Sequence, residues 1–298
     1  MRFIPHKAAL SFGRTIGKIL RLILWKKTDR AEARCVKSLG VGITIAREIV
    51  RKSYMNLGMA AVEFIRIPKM KPHINDFMTF DKNSIKILSD ALSRGNGVIL
   101  MTTHMDNWEL AAARVIHEGF PLNAVYTVQK NQGGANDIIM DIRNNSIGMK
   151  MIDNKGTGLR EIFRVLRAGG IVVIMQDLDA RKDGIMTDFL GLPASTHDGI
   201  VKLYQKFKSP VIPVHYVRDW KNPSHHVLTM QEILSDRKDK NGNSFGKDVK
   251  ASLELCNEAL ENFIKQNPEQ WLWLMDRWEY TLGKKIGMEV RTRVNFLR

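Results

Sequence analysis

Residues 97–110 read GVILMTTHMDNWEL. Val98, Ile99, Leu100 and Met101 form a short continuous apolar run, the mark of a strand covered on both faces. Asp106 and Asn107 are turn and N-cap residues. Leu110, Ala111, Ala112, Ala113 and Val115 then continue as a helix former. The stretch predicts a strand, a tight turn and a helix, the repeating unit of an α/β fold. It also sets His104 at the end of the strand and Glu109 in the first turn of the helix. On one continuous helix, residues five apart stand about 140° apart in azimuth and share no face. A turn between strand and helix is what brings this imidazole and this carboxylate together. A ring held by a carboxylate is a candidate general base, so His104 and Glu109 are the first catalytic candidates, Glu109 orienting the ring.

The same alternation extends outward. Strands are expected at 97–103, 123–128, 149–153, 171–176, 211–217 and 226–232, and helices at 108–117, 135–146, 158–167, 199–207 and 246–265. Residues 30–67 read as helical, ended by Pro68 and Pro72. Residues 84–94 read as a further helix, stopped by Gly95-Asn96-Gly97, and 235–244 as an exposed loop. The expectation is a single α/β domain over 28–298, a mixed and mostly parallel sheet flanked by helices, preceded by a separate segment over 1–27. With 298 residues the chain can bury a large core.

Charge is the unusual feature of the composition. Lys and Arg number 46 against 31 Asp and Glu, a net +15. Arg2, Lys7, Arg14, Lys18, Arg21, Lys26, Lys27 and Arg30 face Asp29 alone, so residues 1–30 hold +7 of it. Such a surplus favours an anionic partner: phospholipid, nucleic acid or an acidic protein. Phe12, Ile16, Ile19, Leu20 and Ile23 recur at three- and four-residue steps, with Arg14, Lys18 and Arg21 opposite and Trp25 and Lys26-Lys27 closing the segment. This is the pattern of a basic amphipathic helix lying on a membrane surface. The alternative is a helix docked on its own domain with a solvated basic face. No apolar run of about 18 residues occurs, so no membrane-crossing helix is expected. Charges interrupt the early apolar run and no small-residue cleavage site follows, so no signal peptide is expected either. The lone Cys35 and Cys256 fit a reducing compartment, and the adjacent His225-His226 do not make a metal pair.

The chain lacks a G-x-S-x-G elbow, a P-loop and a G-x-G-x-x-G turn. Without a protein nucleophile, the natural use of His104 is to activate a substrate hydroxyl for direct attack on an acyl group, with no metal and no bound cofactor. The competing reading of His104 is a satisfied core histidine.

His104-Met105-Asp106-Asn107-Trp108-Glu109 resembles the H-x-G-N-W-E motif of the bacterial lipid A biosynthesis acyltransferases, the lauroyl/myristoyl family within the wider H-x4-D/E glycerolipid acyltransferases. Residues 137–148, with Arg143, are similar to that family's segment with an Arg before a Gly. Gln176-Asp177 and then Phe189 to Thr196 (FLGLPAST) resemble its D-Q-D and F-F-G-x-P-A-x-T stretches. Pro268-Glu269-Gln270-Trp271-Leu272-Trp273, with Arg277-Trp278, matches its C-terminal P-E-Q-W-L-W and R-W signature. The resemblance covers roughly residues 27–279. Asp106 stands in place of the motif's Gly and Met175 in place of the first Asp of D-Q-D.

The resemblance implies acyl transfer from a thioester donor to a hydroxyl of a lipid A precursor or related glycolipid. The donor it implies is acyl-carrier protein, with acyl-CoA as the alternative. It implies the cytoplasmic face of the bacterial inner membrane, the protein being peripheral or anchored through its N-terminus. In that setting Asn107, or backbone N–H groups near Trp108, hold the thioester oxyanion, and Arg143 holds a phosphate. Gln176 and Asp177 are either site residues or turn caps. Arg277 either pairs with a carboxylate or lines a phosphate pocket, and Trp271, Trp273 and Trp278 read as packing. The runner-up is O-acylation of a glycerolipid or another polar lipid. A catalytically silent membrane-binding or nucleic-acid-binding protein is the remote alternative, and no nucleic-acid module is recognisable.

Overall fold

Strand β2 (Val98–Thr102) is buried at every position and lies near the middle of the sheet. Each of its aliphatic side chains contributes about 1.5–3 kcal/mol when fully removed from water. The computed structural model describes residues 4–127, 133–154 and 156–283. In chain order the helices are α1 (His6–Ile23), α2 (Trp25–Leu39), α3 (Ile43–Met70), α4 (Ser84–Leu92), α5 (Trp108–His117), α6 (Gly133–Asp141), α7 (Gly158–Arg167), α8 (Gly199–Phe207) and α9 (Val249–Gln266). The strands are β1 (Met78–Phe80), β2, β3 (Leu122–Tyr126), β4 (Lys150–Asp153), β5 (Ile171–Met175), β6 (Ile185–Phe189), β7 (Leu192–Thr196), β8 (Val211–Arg218) and β9 (His226–Met230).

Seven strands form one sheet in the order β1-β9-β8-β2-β5-β3-β4. β8, β2, β5, β3 and β4 run parallel, and β9 pairs antiparallel with β8 and carries β1. The antiparallel hairpin β6–β7 stands apart from it. The molecule is therefore a single α/β domain with a mixed, mostly parallel sheet flanked by helices. Parallel strands need crossovers, and α5 and α7 supply them after β2 and β4.

The expected helices 108–117, 158–167 and 199–207 are α5, α7 and α8. Elsewhere the structure differs for identifiable reasons. The long helical region splits at Gly40, which takes the left-handed conformation after α2, and α3 then runs through Pro68 to Met70. Proline removes one backbone donor but does not stop a helix in its last turn. The helix expected at 135–146 widens into a π-helical turn over Ile142–Ile147, closed by Gly148. β1 is too short to show a period, and β7, with its Pro and Ser, lacks an apolar alternation. Residue 128, the end of one expected strand, lies outside the described residues.

α1 docks on α3, but not through its apolar stripe. The buried side is Ala9, Leu10, Gly13 and Gly17. A Cβ on Gly17 would stand 2.1 Å from the Tyr54 carbonyl oxygen, and one on Gly58 would stand 2.1 Å from that of Gly13. The two helices approach backbone to backbone, which only glycine permits. On a helical wheel this strip lies between the apolar and the basic arcs. Phe12, Ile16, Ile19, Leu22 and Ile23 are consequently exposed, Leu22 at 72% and Ile23 at 67%. α2 starts at Trp25, so the helical break falls at Leu24. Among the described residues no helix is long and apolar enough to cross a membrane.

Gly17→Ala should separate α1 from α3 at a cost of about 1–3 kcal/mol, the usual penalty of overpacking. Thermal unfolding checks this: a variant as stable as the wild type would refute the close helix crossing.

Candidate active site

Backbone register builds the site. β2 and β5 are adjacent and parallel, with Thr102 opposite Met175. The Gln176 N–H continues the ladder to the Thr102 carbonyl at 2.9 Å. Two residues past that register stand His104 on one strand and Asp177 on the other. They lie at the carboxyl ends of parallel strands, where open α/β sheets gather ligand-binding groups. Tyr216, from β8, pins the end of β2 by donating to the Thr103 carbonyl at 2.9 Å and accepting from Thr102 Oγ1 at 3.0 Å.

His104 Nδ1 stands 2.8 Å from Asp177 Oδ1, and the His104 backbone N–H donates to Asp177 Oδ2 at 2.7 Å. Trp271 Nε1 donates to the same Oδ2 at 2.9 Å. A buried carboxylate accepts, so the proton of the neutral ring sits on Nδ1 and Nε2 keeps its lone pair. Burial opposes charge on the ring, but the Asp177 carboxylate outweighs it, by its charge and by its hydrogen bond. Glu109 adds to the same effect and Arg143 acts against it, and the His104 pKa is raised above the ordinary histidine value. Burial works against ionisation of Asp177 too, yet His104 and the converging donors hold its pKa below the usual range.

The carboxylate hydrogen-bonded to the ring is therefore that of Asp177, where the sequence reading gives this place to Glu109. Glu109 Oε1 instead accepts from Arg143 Nε at 2.9 Å and Nη2 at 2.5 Å, and from Trp108 Nε1 at 3.1 Å. Its Oε2 is buried with no hydrogen-bond partner among the described residues. Arg143 arrives from the π-helical turn, and the Trp108 ring packs edge-on against His104 at 5.2 Å.

Two expected site residues are used elsewhere. Asn107 Oδ1 caps α5 by accepting from Leu110 N–H at 3.0 Å, and its Nδ2 donates to Glu63 at 2.9 Å. Its amide is thus committed on both sides and does not line the cavity beside His104. Arg277 is buried away from that cavity, donating to the Ser195 carbonyl and to Thr196 Oγ1 at 2.6 Å, with Phe189 against its guanidinium. Among the described residues its hydrogen bonds go to no carboxylate and it does not line this cavity, and burial lowers its pKa to about 10. Gln176 lines the cavity and donates to the His197 carbonyl at 2.7 Å.

The residue that sequence reading placed only in packing is Trp271. The segment around it runs along the His104 turn: Leu272 N–H donates to the His104 carbonyl and Asp106 N–H to that of Gln270, both at 2.9 Å. Trp273 and Trp278 pack around it. The Pro-Glu-Gln-Trp spelling was the available signal. What it lacked was any indication that an indole N–H reaches a carboxylate 94 residues away.

His104, Trp108, Glu109, Arg143 and Gln176 open on a cavity of about 800 Å³. Its walls are mainly apolar and include Ala112, Val115, Leu122, Met151, Phe163 and Leu203. Among the described residues no group of three or more His, Cys, Asp or Glu side chains could hold a metal ion. The two cysteines are buried and unpaired, with burial pushing both thiols up to about 12. The arrangement offers a carboxylate-held imidazole beside space for a long apolar group, and can move a proton there.

Residues 1–280 match the family described as bacterial lipid A biosynthesis acyltransferase. This chain belongs to that family. It is similar to the lipid A biosynthesis acyltransferase of Haemophilus influenzae, 24% identical over 191 residues, or 63% of this chain and 55% of the relative. It is equally similar to the phosphatidylinositol mannoside acyltransferase of Mycobacterium tuberculosis, 24% identical over 210 residues, or 69% of this chain and 62% of the relative. The chain thus spans little more than half the length of these relatives.

Asp177→Asn should drop the His104 pKa below the ordinary histidine value, because burial then acts with little to oppose it. Titration of the ring by NMR reads this directly. An unshifted His104 would mean that Asp177 does not govern the ring.

Proposed function

We propose that this protein transfers a fatty acyl chain from a thioester donor to a hydroxyl of a glycolipid at a membrane surface. One observation carries the reading: a histidine with Nδ1 on a buried carboxylate faces an apolar cavity of about 800 Å³. Pockets of this kind suit ligands that are mostly apolar and are oriented by a few polar groups. The cavity takes the acyl chain and His104 works at its polar end.

The chemistry balances without a protein nucleophile. Nε2 of His104 takes the proton as the acceptor hydroxyl oxygen bonds to the thioester carbonyl carbon. Asp177 stabilises the imidazolium that forms. The tetrahedral intermediate collapses, the C–S bond breaks, and the imidazolium proton passes to the leaving thiolate. With the Asn107 amide committed to its cap, the oxyanion falls to the backbone N–H groups of Trp108 and Glu109 at the positive end of α5. Glu109 steadies Arg143 at the cavity and adds negative charge near the ring. Arg143, Lys202 and Lys206 line the cavity and give positive charge for an anionic substrate group.

Acyl-carrier protein, an acidic protein, suits a chain of net +15 as donor, with acyl-CoA as the other thioester. The acceptor stays at the level of glycolipid, because relatives named for two different glycolipids match at the same 24% identity. The exposed stripe Phe12, Ile16, Ile19, Leu22 and Ile23, with Trp25 and the exposed Lys18, Lys26 and Lys27 beside it, supports a surface-lying helix on anionic lipid. On this reading the protein works peripherally, on the cytoplasmic face of the inner membrane.

His104→Ala, still folded, should lose about 10²–10⁴-fold in transfer from an acyl thioester, and near-normal turnover would end the proposal. Ile19→Glu with Leu22→Glu should abolish sedimentation with vesicles containing phosphatidylglycerol while leaving the melting temperature unchanged. Undiminished sedimentation would remove α1 from the membrane contact.

A further inference from the structure

Beneath the 104–107 turn lie four ionisable side chains with almost no exposure: Glu63 of α3, Asp106 of the turn itself, Arg218 at the end of β8 and His226 at the start of β9. Arg218 Nη2 stands 2.7 Å from Glu63 Oε2 and 3.3 Å from Asp106 Oδ1, and Nη1 stands 2.9 Å from Glu63 Oε1. His226 Nε2 is 3.2 Å from Glu63 Oε1, and His226 Nδ1 hydrogen-bonds Asp106 Oδ2. Both nitrogens of His226 thus face carboxylates, and only the doubly protonated ring can donate to both. In that state two positive and two negative charges balance in a buried site. Asn56 completes it, its Oδ1 accepting from Arg218 Nε at 2.8 Å.

The cluster grips two consecutive residues of the catalytic turn: Asp106 through its carboxylate, and Asn107 through the bond to Glu63. Asp106 has φ +37°, a left-handed conformation that costs a non-glycine residue energy and persists only where its surroundings impose it. Glycine would serve the backbone better at this position. The carboxylate therefore answers to the cluster and not to the turn.

We propose that Asp106 and His226 form a positioning pair for His104: the charge cluster clamps the turn that carries the base, and it clamps only while His226 is protonated. The proposal rests on the acyl-transfer reading above for its consequence in turnover. The groups around His226 are consistent with it. Burial acts to deprotonate the ring, but Asp106 and Glu63 together outweigh burial and Arg218, and the pKa is raised. Glu63 lies well below the usual carboxylate range, held down by Arg218 and His226 against its burial. From α1, His6 Nε2 stands 3.7 Å from Glu63 and burial lowers its pKa, so it adds no charge near neutrality. Arg66 of α3 contributes a further positive charge nearby. The raised pKa of His226 sets the sign. The clamp is complete below the ordinary histidine value, near 6.5, and fails as pH rises through the higher folded value, when one buried negative charge loses its partner.

The test uses the full chain, with Asp106→Gly as the main variant because it removes the carboxylate and relieves the backbone together. His226→Gln is the second. Two readouts are taken across pH: turnover of an acyl thioester with lipid acceptor, and amide hydrogen exchange of residues 104–110 by mass spectrometry. We expect Asp106→Gly to fold, to lose about tenfold or more in kcat with KM within about threefold, and to exchange faster across 104–110. We also expect the wild type to lose kcat at alkaline pH and this limb to vanish in Asp106→Gly. A folded Asp106→Gly with unchanged kcat and unchanged exchange overturns the pair. A wild type that transfers nothing overturns the acyl-transfer reading alone; exchange then decides the clamp, unchanged protection in both variants refuting it.

Discussion

The site depends on the register of two neighbouring parallel strands. Thr102 opposite Met175 fixes where β2 and β5 end, and two residues later an imidazole and a carboxylate stand side by side. A slip of one residue would turn each side chain to the opposite face of the sheet. Buried aliphatic side chains on both faces of β2 hold that register, since any slip would break their packing on either side. The His104–Asp177 pair thus inherits its precision from the core, and not from the loop it sits on.

Three elements from distant parts of the chain then close around the turn. The segment at 270–272 runs alongside it and sends the Trp271 indole to Asp177. The Glu63–Arg218–His226 cluster supports it from below and takes Asp106 as its fourth member. Asn107 starts α5 and ties the cap to the same cluster. Removing four charges from water is expensive, and such clusters tend to specify one arrangement more than they add stability. The turn that carries His104 is the arrangement held here.

Much of this was legible in the sequence wherever a local rule applied. α5, α7 and α8 follow from apolar periodicity with turn residues at their ends, and the alternation of strand and helix announced the sheet. The split at Gly40, the π-helical turn before Gly148 and the hairpin β6–β7 were hidden because none leaves a clean period. Within the site, His104, Trp108, Glu109, Arg143 and Gln176 were marked, and they line one cavity. The partner of the ring was not assignable, because Glu109 is near in sequence whereas Asp177 is near only through strand register. Asn107 and Arg277 show the converse, since polar residues inside a motif can turn their hydrogen bonds toward the fold itself. In α1 the amphipathic pattern was plain, but which arc docks was decided by Gly13, Gly17 and Gly58, whose meaning is close backbone approach.

In the proposed reaction, an acyl chain carried on a thioester, a lipid hydroxyl and a ring that only moves a proton leave no place for an acyl-protein intermediate. The most direct measurement incubates the purified protein with an isotopically labelled acyl thioester and a total lipid extract, and follows the label in lipid and protein by mass spectrometry. The account predicts label in ester linkage on a glycolipid and none bound covalently to the chain. Label trapped on the protein, or no transfer to any lipid, would contradict it.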